Sequence, residues 1–312
     1  MLAVCNTLLE IDAAGVAQPE LAESYEASDD AATWTFCLRK TNFSNGKQVT
    51  AKDVIASFNH HRGEDTKSGA KELLKQVKEI RADGDNVVVF ELTSGNADFP
   101  YVTADYHMWI MPENGEGGLD YTLEEFEPGV RMRLKRRDDY FKSDRAWFDE
   151  VTILTINYPT ARQNALVTGE VDIINAVPTK TVHMLKRRPN VHTVEVTGTS
   201  HFPIAMQCSK APFEDVNVRL ALKHAVNRQE MLDKVLRGHG SLGNDHPIAP
   251  SQRFHAADLE QRTYDPDKAK FHLKKAGLDS LDVTLATSDG AYSGAVDAAV
   301  LFQQSASKAG IN

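Results

Sequence analysis

The sequence is poor in the residues that cross-link small proteins, bind metals or activate nucleophiles. It has 3 cysteines in 312 residues, an odd number at wide spacings, which predicts neither a disulfide framework nor a metal knot. Cys5, Cys37 and Cys208 are therefore expected to act as small apolar fillers. No HExxH, phosphate-loop or CxxC motif occurs, so metalloprotease, nucleotide and zinc-ribbon sites have no support. The segment HGSLG around Ser241 has His239 where a hydrolase nucleophile elbow requires glycine.

Positive charge is scarce as well. The chain has 35 basic and 44 acidic residues and a net charge of -9, which argues against a nucleic-acid backbone or an anionic membrane surface as partner. The dense basic run at 131–137 alternates with Met132 and Leu134, which is typical of a half-exposed strand and not of a phosphate site. Long apolar runs are missing too. The opening MLAVCNTLLEIDAAG has no basic leader, and taken alone it predicts a cytoplasmic protein.

The composition is that of a globular protein with a core. Hydrophobic residues make up 41% of the chain and charged residues 25%, both ordinary values. A chain of this length has room for two or three domains. The sequence therefore predicts several folded parts, and their boundaries depend on local signals.

Helix signals are concentrated in 211–277. Asp215 is a predicted N-cap, after which apolar residues recur at helical spacing. A second helix is predicted to end at Gly238, since glycine best takes the left-handed conformation at a helix C-terminus. Asp265 and Pro266 supply the N-cap and first-turn proline of a further helix that ends at Gly277.

Elsewhere strand and helix signals alternate. A strand is predicted over 33–40, followed by a helix that Thr50 and Asp53 open as a capping-box-like pair. A helix over 159–168 closes at Gly169 and directly precedes VDIIN, which is the pattern of a βαβ unit. Further strands are predicted at 86–92, 131–136, 151–158, 171–175, 191–196, 202–208 and 281–287.

The last residues predict the beginning of one more strand. A helix ends at Gly310, and Ile311 stands where the next parallel strand of an α/β unit begins. Because a parallel crossover gains its packing only with that strand, we expect the chain to be truncated at this end. The alternative is a simple frayed terminus.

An ordered series of segments resembles one known family. PFEDVNVRLALKHAVNRQEML, a glycine after the second helix and YDPDKAKFHLKKAG are similar to the solute-binding proteins, family 5, that feed ABC importers of peptides and nickel. The remaining segments fall in the same order, so the resemblance covers nearly the whole chain. They are PELAESYEASDDAATWTFCLRK, FSNGKQVTAKDVIASFN, YTLEEFEPGVRMRLKRRDDYF and ALVTGEVDII.

The resemblance implies a periplasmic-binding-protein-like α/β fold of type II, cluster C, with two α/β lobes and an extra α+β domain. It assigns 1–20 to the first lobe, 21–116 to the extra domain, 117–214 to the first lobe and 215–312 to the start of an incomplete second lobe. Family members are exported, which implies a periplasmic location and a truncated start. The chain departs from the family at 114–121, where only Gly117 and Tyr121 match.

One group of candidate ligand-binding residues lies in DYHMWIMP. This segment has neither helical nor strand periodicity and joins two units, and binding clefts form at such joints. Tyr106, His107 and Trp109 are expected to stack on a ligand or hydrogen-bond with it. The alternative is that they are packed aromatics at a domain interface. No residue is predicted to be catalytic.

A second group lies further along the chain. His201 starts a predicted strand, and Asn244, Asp245 and His246 stand in a proline-stiffened loop. Ligand contact is expected for some of them, and local turn capping by Asn244 and Asp245 is the alternative. The histidines and Asp245 suit a transition metal chemically, but they lack i, i+4 pairing, so an organic ligand is ranked above a metal.

The predicted function follows from the resemblance. It implies a substrate-capture component that binds a peptide or small-molecule ligand in an interlobe cleft and closes by a hinge. The expected partners are an ABC permease and ATPase complex at the inner membrane. We expect a monomer, no cofactor and no nucleic acid. The alternatives are a hydrolase, for which no nucleophile and base pair is visible, and a non-transporting receptor.

Overall fold

The computed structural model describes residues 4–115, 117–196, 198–250, 252–288 and 290–312. Clustering of contacts divides the chain into two units, Met1–Ile156 and Asn157–Asn312. The predicted segments include residues outside the described ones: residues 1–3 in 1–20, Glu116 in 21–116 and 114–121, Thr197 in 117–214, and Ser251 and Asp289 in 215–312. The division of the chain between lobes and an extra domain stays a prediction.

The first unit contains a small antiparallel hairpin and a four-stranded antiparallel sheet with the order β3-β4-β6-β5. Two helices accompany them. The bounds are β1 (Leu9–Ile11), β2 (Ala17–Pro19), β3 (Ala22–Ala27), β4 (Thr33–Leu38), α1 (Ala51–His60), β5 (Val77–Ala82), β6 (Val87–Leu92) and α2 (Phe99–Thr103).

Aromatic rings fill the core of this unit. The alternation in β4 turns Trp34, Phe36 and Leu38 to the buried side, as the sequence predicts. The ring centroids of Phe36 and Phe90 lie 5.5 Å apart, and those of Phe58 and Phe90 lie 4.9 Å apart, both edge to face. Such ring pairs stabilise a core beyond the area that they bury.

The start of α1 is fixed by a buried carboxylate. Thr50 and Asp53 form the predicted capping box. Asp53 also pairs with Lys47 and accepts a hydrogen bond from the backbone of Glu113 at 2.9 Å. Burial raises the pKa of Asp53, but these hydrogen bonds outweigh it and leave the pKa below its ordinary value. Asp53 therefore links α1 to a distant segment as a charged residue.

A three-stranded antiparallel sheet completes the described strands. It consists of β7 (Tyr121–Glu127), β8 (Arg131–Arg136) and β9 (Glu150–Leu154). On β8, Leu134 is fully buried while Arg131 pairs with Glu125 at 2.6 Å. The prediction of a half-exposed strand for the basic run is confirmed, and Arg131 and Arg133 pair with glutamates of β7.

Close backbone packing requires glycine at position 118, within the segment 114–121. A Cβ on Gly118 would lie 2.5 Å from the carbonyl oxygen of Val4, so the backbone there approaches too closely for any other residue. Arg137 closes this junction, donating to the carbonyls of Asn42 and Leu119 at 2.8 Å each. Arg137 is thus a structural residue that the sequence pattern did not reveal.

The second unit is helical in its regular structure. The caps predicted at Asp215 and Asp265 are confirmed, since their side chains accept from Asn217 N at 2.7 Å and Lys268 N at 2.9 Å. Gly169 ends α3 with a left-handed φ of 77°. The bounds are α3 (Pro159–Thr168), α4 (Val182–Leu185), α5 (Val216–Ala225), α6 (Arg228–Lys234), α7 (Pro266–Lys275) and α8 (Ala295–Ser307).

The core of the second unit is built from small side chains. Alanines of α5, α7 and α8 pack with Leu222, Leu273 and Phe302. The backbone N–H of Leu281 donates to the carbonyl of Gly310 at 3.0 Å, and a parallel bridge joins Leu281 to Ile311. The prediction that Ile311 starts a parallel strand is confirmed for this pair.

The other strands predicted for this unit are wrong. The segments 171–175, 191–196 and 202–208 are in no strand, and 281–287 has only the bridge at Leu281. Within the described residues the named strands pair antiparallel, so the parallel α/β character predicted here is limited to that bridge. Ile173 and Val194 are 77% and 84% exposed. Alternation favours an extended backbone, but a strand also requires a hydrogen-bonded neighbour.

The sequence predicts that the cysteines are small apolar fillers. The three cysteines are free, and Cys5 is a buried filler whose burial raises its pKa to about 11. The expectation fails at Cys208, which is exposed.

Among the described residues, no helix has the length and apolar character needed to cross a membrane.

Candidate functional site

The first candidate pair, Tyr106 and His107, lies just beyond α2. Asp105 orients His107, accepting from its backbone N–H at 2.9 Å and pairing with its Nδ1 at 2.7 Å. The ring of Tyr106 lies 3.9 Å from that of His107, and Tyr106 is 58% exposed. An oriented imidazole with a solvent-facing phenol is suitable for stacking on a ligand. The ligand role of both residues stays a prediction.

Trp109 has a different environment. Its ring packs against a cluster formed by Val4, Cys5, Tyr121 and Leu134. Its Nε1 is buried and has no hydrogen-bond partner among the described residues. These contacts favour the packing alternative for Trp109, and a water molecule or a ligand acceptor would satisfy its Nε1 donor.

His201 lies at a groove in the second unit that we call the His201 groove. The groove has a volume of about 690 Å³ and lies between the segments 201–205 and 285–288 and the start of α8. The rings of Phe202 and Tyr292 are stacked there at 4.1 Å with an interplanar angle of 18°. The size is in the range of small-molecule sites.

The polar groups of the His201 groove come from one imidazole and from the backbone. Nδ1 of His201 donates to the carbonyl of Thr199 at 3.1 Å, so Nε2 of the neutral ring remains an acceptor. The backbones of 202–205 and 285–287 make no hydrogen bond to any residue that the structure describes. An aromatic pair beside open backbone donors and acceptors suits an organic ligand with amide groups.

Asn244 and Asp245 bind residues that are distant in sequence. Asn244 accepts from the backbone N–H of Arg262 at 2.9 Å, 18 residues away, so this bond is not the local turn capping of the alternative. Asp245 pairs with Arg228 and, at 2.7 Å, with Arg262. Its φ of 62° places it in the left-handed region, where a non-glycine residue is strained and is held by its surroundings. Neither residue lines the His201 groove.

His246 lies near His255, with ring centroids 5.5 Å apart. Its Nε2 is buried and has no hydrogen-bond partner in the part of the chain that the structure describes. Within those residues, no group of three or more His, Cys, Asp or Glu side chains has the arrangement to hold a metal. The ligand roles of Asn244, Asp245 and His246 stay predictions.

Sequence reasoning missed the aromatic stack and a polar network. Phe202 directly follows His201, and that adjacency was an available signal, whereas nothing local pointed to Tyr292. The network centres on His224, whose Nε2 lies 3.2 Å from Arg262 and whose ring stacks at 5.9 Å on His272. Burial lowers the pKa of His224, and the positive charge of Arg262 acts in the same direction.

Known proteins resemble this chain over most of its length. The di/tripeptide-binding protein 1 of Pseudomonas aeruginosa is 27% identical over 90% of this chain and 59% of that protein. The nickel-binding periplasmic protein of Escherichia coli is 27% identical over 88% and 56%. The chain thus spans less than two thirds of the length of these curated relatives.

The fold matches as well. The solved structure of the periplasmic binding protein AgaA from A. tumefaciens R10, in complex with agropinic acid, superposes with a TM-score of 0.81 at 26% identity, covering 100% of this chain and 66% of that one. The match is to the cluster C periplasmic binding proteins over about two thirds of their length. The model of the bacterial extracellular solute-binding proteins, family 5, matches residues 16–312. The chain belongs to this family of non-enzymatic transport binding proteins.

Proposed function

We propose that this chain is the substrate-binding component of an ABC importer. It captures a peptide or a related small solute in a cleft between its lobes, in the periplasm, and delivers the ligand to a membrane permease and its ATPase. It acts as a monomer. The observation that carries this proposal is the family match over residues 16–312, together with the fold match to a binding protein in complex with its ligand.

The similar proteins differ in what they bind. Their names refer to di- and tripeptides, nickel and agropinic acid. Family membership alone therefore leaves the ligand class open. The side chains of this chain must determine which class it binds. The stacked pair of Phe202 and Tyr292 and the open backbone edges of the His201 groove favour an organic ligand with amide groups.

We also propose the division of the chain that the resemblance implies. Residues 21–116 form the extra α+β domain, which the four-stranded sheet with α1 and α2 supports. Residues 117–214 belong to the first lobe, and 215–312 open the second. Hinge closure between the lobes is the expected binding motion.

Thermal unfolding of the 312-residue chain tests ligand class directly. A ligand that binds only the folded protein stabilises it, by about 2.7 kcal/mol at a free concentration of 100 times Kd. We expect L-alanyl-L-alanine or tri-L-alanine to raise the midpoint and nickel chloride to leave it unchanged. A rise in the midpoint with nickel chloride alone would rank nickel above peptides as the ligand. No rise with the peptides or with nickel would contradict solute binding by this chain.

A substitution then locates the site. His201→Ala removes the imidazole acceptor of the groove, and we expect about 10-fold weaker peptide binding, which corresponds to about 1.4 kcal/mol. His192→Ala is the matched control, since His192 is also exposed in the second unit and is not part of the groove. Equal affinity of the two variants, measured by isothermal titration calorimetry, would remove His201 from the site.

A further inference from the structure

A second groove lies in the first unit, where β4 ends. It has a volume of about 530 Å³, and its lining includes Glu23, Cys37, Arg39, Lys40, Asn86 and Phe141. This volume is within the range of small-molecule sites. Neither the predicted site residues nor the His201 groove contribute to it. We call it the β4 groove.

The groove exists because the strands beside β4 are irregular at this end. The register of β3 against β4 shifts between Ala22 and Ser24, so Glu23 is the extra residue of a β-bulge. Bulges redirect side chains and are common beside functional sites. Beyond the bulge, β4 stays attached on both sides, with Leu38 N donating to Asn86 O at 2.7 Å and Arg39 N to Leu21 O at 2.9 Å. The backbone of the groove is therefore rigid.

The loop that carries Phe141, which forms one side of the groove, is also held in place before a ligand binds. Next to Phe141, Lys142 pairs with Glu20, and Tyr140 donates to Glu20 at 3.4 Å. Glu20 is only 3% exposed, so these contacts hold the loop to the body of the unit from inside. A preformed wall lowers the entropic cost of binding.

Arg39 is held in place by its neighbours and still has hydrogen-bond donors that the described residues do not use. Its guanidinium lies over the Phe141 ring at 5.5 Å, and its Nε donates to the carbonyl of Glu20 at 2.7 Å. Its terminal NH2 groups have no partner among the described residues, and Lys40 beside it makes no ion pair with any of them. Two cations with unused donors at one end of a groove suit a carboxylate.

Acceptors lie in the same groove. The Oδ1 atom of Asn86 is buried and has no hydrogen-bond partner among the described residues. A buried acceptor left unpaired is costly, and a donor from a ligand would satisfy it. Glu23 adds a carboxylate that forms no ion pair within the described part of the chain. An ammonium group is the donor that suits both.

We propose that the β4 groove is a ligand site separate from the His201 groove, and that it binds a small zwitterion of the α-amino-acid class. The ligand carboxylate lies on Arg39 and Lys40, its ammonium group lies on Asn86 Oδ1 and Glu23, and its side chain lies along Phe141. The proposal does not depend on the transport function, because it rests on groups of the first unit alone.

Cys37 supplies a reporter inside the groove. It is half-buried there, whereas Cys208 is exposed in the second unit and is a built-in control. We expect L-alanine at about 10 mM, above the millimolar limit of weak binding, to slow iodoacetamide alkylation of Cys37 at least about threefold. Alkylation of Cys208, followed in the same digest by mass spectrometry, should not change. Propionate and L-alaninamide, which each lack one charged group, should protect Cys37 less.

Variants provide the second measurement. Isothermal titration of L-alanine should show at least about fivefold weaker binding in Arg39→Gln and Lys40→Gln, and unchanged binding in Lys78→Gln, an exposed lysine on β5 of the same sheet. His201→Ala should also bind L-alanine normally. No protection of Cys37, equal protection of Cys208, or binding that His201→Ala abolishes and Arg39→Gln retains would each overturn the proposal.

Discussion

The two units of this protein satisfy their backbones in different ways. In the first, β-strands pair with one another, and phenylalanine rings pack between the four-stranded sheet and its helices. In the second, alanine-rich helices surround a smaller core, and segments such as 202–207 have no regular secondary structure and no strand partner among the described residues. A helix satisfies its hydrogen bonds within itself, whereas a strand depends on a neighbour distant in sequence. The same chain thus contains one unit set by long-range pairing and one set by local caps.

The largest expected effect separates a core ring of the first unit from a groove ring of the second. Phe90→Ala removes a fully buried ring that contacts Phe36 and Phe58, and it should destabilise the first unit by about 3–5 kcal/mol. Phe202→Ala removes a ring that is 49% exposed and stacked on Tyr292, and should cost only about 1 kcal/mol. Urea unfolding followed by circular dichroism measures both. Equal costs would show that the stacked pair of Phe202 and Tyr292 contributes as much to stability as a fully buried ring of the first core.

The next effect compares two helix caps. Asp53→Ala leaves Lys47 unpaired and the Glu113 N–H unsatisfied in the first unit, and should cost about 3 kcal/mol. Asp265→Ala removes a solvent-facing cap of α7 and should cost less.

The pH dependence of the Asp53 effect provides its control. Because the folded-state pKa of Asp53 is below 3.8, its stabilisation is present above that pH and is lost as pH falls below it. The difference between wild type and Asp53→Ala should therefore shrink in acid. A difference that stays constant from pH 7 into this range would mean that the charge of Asp53 is not what stabilises α1.

The smallest effect concerns pH in the second unit. The folded-state pKa of His224 is below 6.5, so the unfolded chain takes up a proton first, and stability falls as pH drops below 6.5. We expect His224→Gln to lose less of its melting temperature than wild type between about pH 7.5 and pH 5.5. The charged groups that act on His224 are Arg262, Lys268 and Asp265. An identical loss in the variant would assign the acid sensitivity to other groups.

The contrast between the units also explains which elements were predictable. Asp215, Gly169 and the Thr50–Asp53 pair signal helix ends through groups a few residues away, and each of these predictions is confirmed. The alternation that predicts β4 equally predicts strands at 171–175 and 202–208. Of these three segments, β4 alone has a strand on each side, β3 and β6. The same alternating pattern therefore leads to different structures.

The candidate site shows the same limit. His201 was selected because it opens a segment of strand-like pattern, and it does line a groove. Asn244 was selected as a ligand residue with local capping as the alternative, and its side chain instead accepts from the backbone of Arg262, 18 residues away. The sequence offers side chains of suitable chemistry, but it does not say which of them distant residues have already engaged.

The sequence by itself determined where several helices begin, the half-exposed basic strand and the family, because these depend on caps, alternation and an ordered series of segments. The helix ends predicted at Gly238 and Gly310 are wrong, since α6 ends at Lys234 and α8 at Ser307. The tertiary structure alone decided that Tyr292 stacks on Phe202, that Asn86 Oδ1 has no partner among the described residues, and that several alternating segments of the described chain form no strand. These outcomes depend on which atoms meet across long separations in the chain, and local patterns do not specify such contacts.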